Sequence, residues 1–213
     1  MIYRSMIIAS AQQLFAPLLV QEAGSVQEHL SQLAELLWQG LRSLHPAAVN
    51  LAANWFPDTI GASKETISSR EWRLADAQLI IAREHGYIDF TDITGYYDPI
   101  FERFINLLLA GEFAPVKSLL KEYPHIVHTR SSYGHRATAL HYLAANGVET
   151  RRQQVPLQLV ELIKLLLQHG ADPKATMYVY HQDCTPLDLL VTSAHPYAAG
   201  LGEQAAQVLS EAI

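Results

Sequence analysis

At 213 residues, with 49% hydrophobic and 17% charged side chains, the chain is one large domain or two small ones, and it can bury a sizeable core. Its formal charge is −6, and no dense lysine or arginine stripe relieves it. That balance argues against a nucleic-acid partner, whose counterions are released by clustered basic groups. No apolar run approaches the ~18 residues of a membrane helix, Met6–Ala9 is too short for a signal-peptide core, and one cysteine, Cys184, excludes an internal disulfide framework and a cysteine-built zinc site. These features predict a cytoplasmic protein with neither nucleic acid nor membrane as partner. The acidity is uneven: residues 1–100 hold 11 acidic and 6 basic side chains, and residues 101–213 hold 10 and 9.

Along the chain, helix follows helix and no stretch reads as a central strand. Ser25 and Glu28 form a capping-box pattern ahead of a segment in which Leu30, Leu33, Leu37, Trp38 and Leu41 recur at three- and four-residue steps. Pro46 opens the next helix and Pro57 ends it. Residues 58–69 read as a linker. Ser68 and Glu71 form a second capping pattern before "WRLADAQLIIAREHG", with Gly86 at its exit. Asp98 and Pro99 then read as N-cap and first helical residue of "PIFERFINLLLAG".

The second half contains a repeated unit. "TALHYLAANG" (138–147) is a short helix closed at Asn146-Gly147. "PLQLVELIKLLLQHG" is a longer one opened by Pro156 and closed by Gly170. After the polar and aromatic excursion "ADPKATMYVYHQDC", "TPLDLLVTSA" restarts the short helix 47 residues after Thr138. "EQAAQVLSEAI" reads as a last outer helix.

These residues resemble the ankyrin-repeat family, whose unit of about 33 residues is a β-turn and two helices with a Thr-Pro-Leu-His-x-Ala signature. Thr138, Leu140, His141, Ala144, Ala145 and Gly147 match the first helix. Ile163, Leu166, Leu167, Gly170, Ala171 and Asp172 match the second and its exit, and Thr185, Pro186 and Leu187 begin the next copy. Gly111, Val116, Leu119 and Leu120 mark half of a degenerate copy upstream. Ala139 stands where the family has proline and Asp188 where it has the second histidine. The 47-residue offset exceeds the usual period by about 14. The resemblance implies an all-α, ankyrin-type helical repeat solenoid. Residues 98–213 would form about three repeats with insertions, behind an N-terminal helical cap region over 1–97. "ADAQLIIAREHGYIDFTDI" resembles a segment preceding repeats in some bacterial ankyrin-repeat proteins, which implies a bacterial source. It also implies that Thr138 and His141 hydrogen-bond around the start of the short helix, that Ala144 and Ala145 are small so that helices approach closely, and that neighbouring copies complete one another's core.

Chemistry is sparsely signalled. His125, His128 and His135 cluster in "PHIVHTRSSYGH" without a carboxylate or cysteine to complete a ligand set, so they read as turn histidines rather than a metal site. Cys184 beside His141 or His181 reads as a packed thiol, not a nucleophile. No Gly-x-Ser-x-Gly or glycine-rich phosphate loop occurs, and no catalytic residue, metal or cofactor is expected. Trp38, Trp55 and Trp72, 17 residues apart, read as packing between helices rather than an aromatic cage for a cation. The best interaction signal lies in the finger positions of the repeat: Arg130, Tyr133, His135 and Arg136 in one loop, and Tyr178, Tyr180 and His181 in the next. The insertion adds Arg151 and Arg152. Tyrosine and arginine are frequent interface anchors, and this set suits an acidic partner or a C-terminal carboxylate. The expectation is non-catalytic recognition of a protein or peptide by fingers and inner helices, with partner identity and oligomeric state left open. Two alternatives stay open: a small-molecule sensor with a pocket between the N-terminal helices and the repeats around Trp55 and Trp72, and an enzyme, which would declare itself as a charged cluster with shifted pKa values in a cleft.

Overall fold

Twelve α-helices and four very short strands make up the computed structural model among the residues it describes, 2–18 and 24–213. The class is all-α. The chain divides into two compact units: Met6–Tyr97 with Ser132–Gly134, and Met1–Ser5 with Asp98–Ser131 and His135–Ile213. The division expected at 97/98 is thus modified by two short exchanges of chain.

In the N-terminal unit the helices are α1 (Met6–Leu14), α2 (Val26–Arg42), α3 (Pro46–Trp55), α4 (Lys64–Ser68) and α5 (Leu74–Glu84). The amide of Glu28 donates to Ser25 Oγ at 3.1 Å, and the Glu28 carboxylate accepts from the Gly24 amide at 2.9 Å, which satisfies amides at the start of α2. Leu30, Leu33, Leu37 and Leu41 form the buried stripe of α2. It packs on Leu51 and Ala52 of α3 and on Ala77, Ile80 and Ile81 of α5. Each such leucine or isoleucine contributes about 1.5–3 kcal/mol by leaving water. Gly40 allows α2 to approach α1 and α3 closely: a Cβ there would lie 2.9 Å from Leu14 Cδ1 and 3.0 Å from Ala48 Cβ. Two local expectations fail. Residues 58–69 are not a linker but a 3-10 turn (Pro57–Thr59) and α4, with Thr59 and Ile67 buried. Ser63, not Ser68, caps a helix here, and α5 starts later, at Leu74, where the Asp76 carboxylate accepts from the Arg73 amide at 2.9 Å.

In the C-terminal unit, α6 (Pro99–Leu109) is capped by Asp98, whose Oδ1 accepts from Ile100 and Phe101 amides at 3.0 Å. Then come α7 (Phe113–Glu122), α8 (Ala139–Leu143), α9 (Leu159–Gln168), α10 (Pro186–Thr192), α11 (Ala194–Ala198) and α12 (Gly202–Glu211). Helix α6 lies against α7 and α8, α8 against α9 and α10, and α12 against both α9 and α10. Leucines, isoleucines and alanines from all of these except α11 form one continuous core. Pro156 does not open α9, which begins three residues later. It belongs instead to β2 (Val155–Pro156), paired antiparallel with β1 (Ile2–Tyr3). That pairing, with Arg4 Nε donating to Gln154 Oε1 at 2.7 Å, places the first residues of the chain in the C-terminal unit. The aromatic excursion is a hairpin, β3 (Met177–Val179) and β4 (Gln182–Cys184), turning at Tyr180-His181.

Candidate functional site

The short helices α8 and α10 begin with the same arrangement. At α8, the Thr138 amide donates to His141 Nδ1 at 3.1 Å, and the Thr138 hydroxyl lies 2.8 Å from the same nitrogen. Because Nδ1 accepts an amide hydrogen, the ring proton sits on Nε2, which donates to the Cys184 carbonyl at 3.2 Å. At α10, the Thr185 amide and hydroxyl donate to Asp188 Oδ2 at 2.9 and 2.7 Å, and the Asp188 amide donates back to Thr185 Oγ1 at 3.2 Å. Burial pushes His141 down to about 4, opposed by its bond to the Cys184 carbonyl. Hydrogen bonds from Thr185 lower Asp188.

Between α8 and α9, the chain from Glu149 to Arg152 folds over α6 and α8 and encloses a set of charges. The Arg152 guanidinium bridges Glu102 of α6 by a short charge-assisted bond. It also reaches Glu149 Oε1 at 3.4 Å and Asn106 Oδ1 at 3.3 Å, and lies 5.6 Å above the Tyr142 ring. Tyr142 donates to Glu149 Oε1 at 3.5 Å. His135 accepts the Ala137 amide at Nδ1 (3.1 Å), which leaves its Nε2 hydrogen facing Glu149 Oε2 at 3.9 Å. Desolvation drives His135 to about 4 despite the nearby Glu149 carboxylate. Desolvation, reinforced by Glu149, raises Tyr142 well above the usual phenol range. Glu102, His135, Tyr142, Glu149 and Arg152 are all buried. The cluster is an enclosed electrostatic lock with shifted pKa values. Glu102, Asn106 and Glu149 escaped the sequence reading; a glutamate inside the apolar run of α6 was the one available signal.

The finger residues therefore separate. Tyr133 is buried in the core of the N-terminal unit, its ring 4.8 Å from His85 in an edge arrangement. With His135 and Arg152 it is withdrawn from any exposed binding surface, a correction caused by burial. Arg130 is a latch: its guanidinium donates to the Arg136 carbonyl at 2.9 Å and the Thr176 carbonyl at 2.7 Å. Arg151 is half-buried. Arg136, Tyr178, Tyr180 and His181 remain exposed. Tyr178 points outward between buried Met177 and Val179 and pairs with exposed Asp183 across the hairpin. Tyr180 and His181 both take the left-handed conformation, φ 54° and 64°. That is the two-residue hairpin geometry in which Asn-Gly is usual. The Tyr180 hydroxyl donates to Asn146 Oδ1 at 2.8 Å, while Asn146 Nδ2 donates to Thr192 Oγ1 at 3.0 Å. The tip is thereby tied to the ends of α8 and α10. Gly147 makes room beneath it, since a Cβ there would meet Val179 Cγ1 at 3.1 Å.

The tryptophans pack. Trp38 Nε1 donates to the Trp72 carbonyl at 2.9 Å and Trp72 Nε1 to the Ile67 carbonyl at 3.0 Å. Two cations of the chain itself lie over their rings, Arg42 on Trp38 at 5.1 Å and Arg70 on Trp72 at 5.2 Å. A cleft opens beside Trp38 and Trp72 inside the N-terminal unit, and Trp55 does not line it. Cys184 is buried. Among the described residues no three His, Cys, Asp or Glu side chains are grouped to hold a metal ion, and no helix is long and apolar enough to cross a membrane. Compared with protein-family models, curated proteins and solved structures, the chain finds no match.

Proposed function

We propose that the C-terminal unit is an ankyrin-type stack of helix pairs that recognises a protein or peptide without performing chemistry. The reading is supported by the series α6/α7, α8/α9 and α10/α12, by the packing of α6 on α8 and α8 on α10, and by the threonine arrangement recurring at both short helices. The insertion 149–152 covers the flank of α6 and α8 that carries Glu102, Asn106 and Tyr142, so recognition moves to hairpin β3–β4 and the exposed side of α10. One observation carries the assignment: Tyr178 and Tyr180 are 58% and 52% exposed on a hairpin whose tip is pinned by Asn146. Aromatic anchors held rigid before binding lose little entropy on contact. With Arg152 buried and Arg130 committed to backbone carbonyls, Arg136 is the exposed arginine left of the set, and the surface is chiefly an aromatic one.

The test is selection of binders from a random peptide library on the full chain, followed by affinity measurement on the native protein and on Y178A. Y180F would run beside them, because it keeps the ring and removes the tether. Selected peptides should lose about tenfold or more in affinity on Y178A, a difference of about 1.4 kcal/mol, and less on Y180F. Equal binding to all three proteins would sink the finger assignment.

A further inference from the structure

We propose that the N-terminal unit carries a second site, independent of the recognition surface, for a small monoanionic carboxylate with a flat or aliphatic body. It is the cleft between the C-terminal end of α2 and residues 68–72, about 510 Å³ in volume, which falls in the range of small-ligand sites.

Its walls are fixed before any ligand arrives. Each indole N–H along the cleft is already committed to a backbone carbonyl, Trp38 to Trp72 and Trp72 to Ile67. The rings therefore offer only apolar faces, and polar selectivity passes to the charged groups. Arg70 is held in place, 4.5 Å over Phe56 and 5.2 Å over Trp72, with its charge offset by Asp58 at 3.3 Å and Asp76 at 4.0 Å. Its Nε is buried and makes no hydrogen bond. Arg42 differs: its guanidinium stacks 5.1 Å over Trp38, is exposed, and has no ion pair among the described residues. The cleft thus joins one uncompensated cation to an indole face, the geometry that takes a carboxylate head and the body attached to it.

Two features at the rim narrow the ligand. Glu71, exposed on the lining, repels a second negative charge, so a monoanion is favoured over a phosphate dianion. Leu44 holds φ at +55° and projects an exposed side chain at the edge of the cleft. That conformation is the left-handed turn closing α2, in which the His45 amide donates to the Gly40 carbonyl at 2.8 Å. The Leu44 side chain adds an apolar group to the lining.

The experiment titrates the full chain with 3-phenylpropionate and follows tryptophan fluorescence, since Trp38 and Trp72 line the site. The neutral amide of the same acid and inorganic phosphate serve as comparison ligands. We expect saturable binding of the carboxylate, at least tenfold weaker binding of the amide and of phosphate, and a similar loss in R42Q. E71Q should tighten the carboxylate by two- to fivefold, a gain that a folding defect does not produce. Thermal melts confirm that both variants fold. No saturation by about 10 mM, a concentration that would reveal even millimolar affinity, overturns the site. So does equal binding of acid and amide, or indifference to R42Q. None of these outcomes touches the hairpin reading, which rests on other residues.

Discussion

Thr138 and Thr185 pose the same problem, an amide and hydroxyl to satisfy at the start of a short helix, and two different side chains solve it. At position 141 the acceptor is buried, where a carboxylate would pay a heavy desolvation cost, and a neutral imidazole serves. At position 188 the site is exposed, and an ionised carboxylate serves at little cost. H141A should therefore lose about 2–4 kcal/mol, because it strands a buried amide and leaves a cavity. D188A should lose about 1 kcal/mol, an ordinary cap; the midpoints of urea unfolding check both. The two groups also separate by pH. His135 and His141 titrate at about 4 in the folded chain but near 6.5 when unfolded. Between those values the unfolded state binds protons that the native state refuses, so the stability they supply is full above pH 6.5 and is lost as pH falls toward 4. Each contributes about 3 kcal/mol to that loss. Asp188, lowered from an already acidic value, gives up its share only below that window. Urea unfolding from pH 7 to 4.5 should show a steep decline in the native chain and a shallower one in H141A. The Thr138–His141 contact was expected from the repeat resemblance, whereas the Thr185–Asp188 pair was not, because Asp188 stood as a departure from that pattern. Nor was the burial of His135 legible in sequence, because the Glu149 that faces it lies 14 residues on and no local pattern links them.

The segment 149–152 and the hairpin 177–184 are two connections that join helices of the C-terminal unit. The first carries Arg152 into a buried site between two glutamates. Removing the cation alone leaves carboxylates without their compensation, so R152M should cost about 3–5 kcal/mol. The triple change R152M/E102L/E149L should recover most of that, since apolar residues of similar volume replace such sets at little cost; calorimetric melting temperatures decide. If R152M were neutral, the lock would be a surface pair in solution. The sequence read this arginine as an interface anchor because charge in a loop usually means exposure, and only a partner 50 residues away in α6 reverses that. In the hairpin the two left-handed residues at the tip are Tyr180 and His181, neither of which favours that conformation. H181G relieves one of them while Tyr180 keeps its tether to Asn146, and should stabilise the protein by about 1 kcal/mol. A melting temperature that falls instead would mean that the imidazole is itself anchored. Without an Asn-Gly signal the turn could not be read from sequence, although the alternation of Met177, Tyr178 and Val179 could have suggested a strand.

Across the described residues two cores form, one around α2 and one shared by α6 to α10 and α12. Apolar periodicity, the Asp98-Pro99 helix start and the repeated threonine motif are the sequence features that pointed to a division at 97/98. The exchanges of Met1–Ser5 and Ser132–Gly134 were not readable, because a two-residue strand and a single buried tyrosine leave no periodic trace. The first exchange has a measurable consequence. Ile2 and Tyr3 pair with Pro156 and Val155, and Arg4 holds Gln154, so these residues contribute to the C-terminal unit although they precede the first helix of the other. Deleting residues 2–5 should free the edge at Gln154 and Val155 and lower its local opening energy by about 1–2 kcal/mol, roughly a tenfold rise in amide exchange there. Leu33 and Leu37, in the middle of α2, should keep their protection. Faster exchange in α2 with an unchanged edge at Val155 would assign the leading segment to the other core. Faster exchange at Val155 alone would establish the first residues of the chain as the edge strand of its second half.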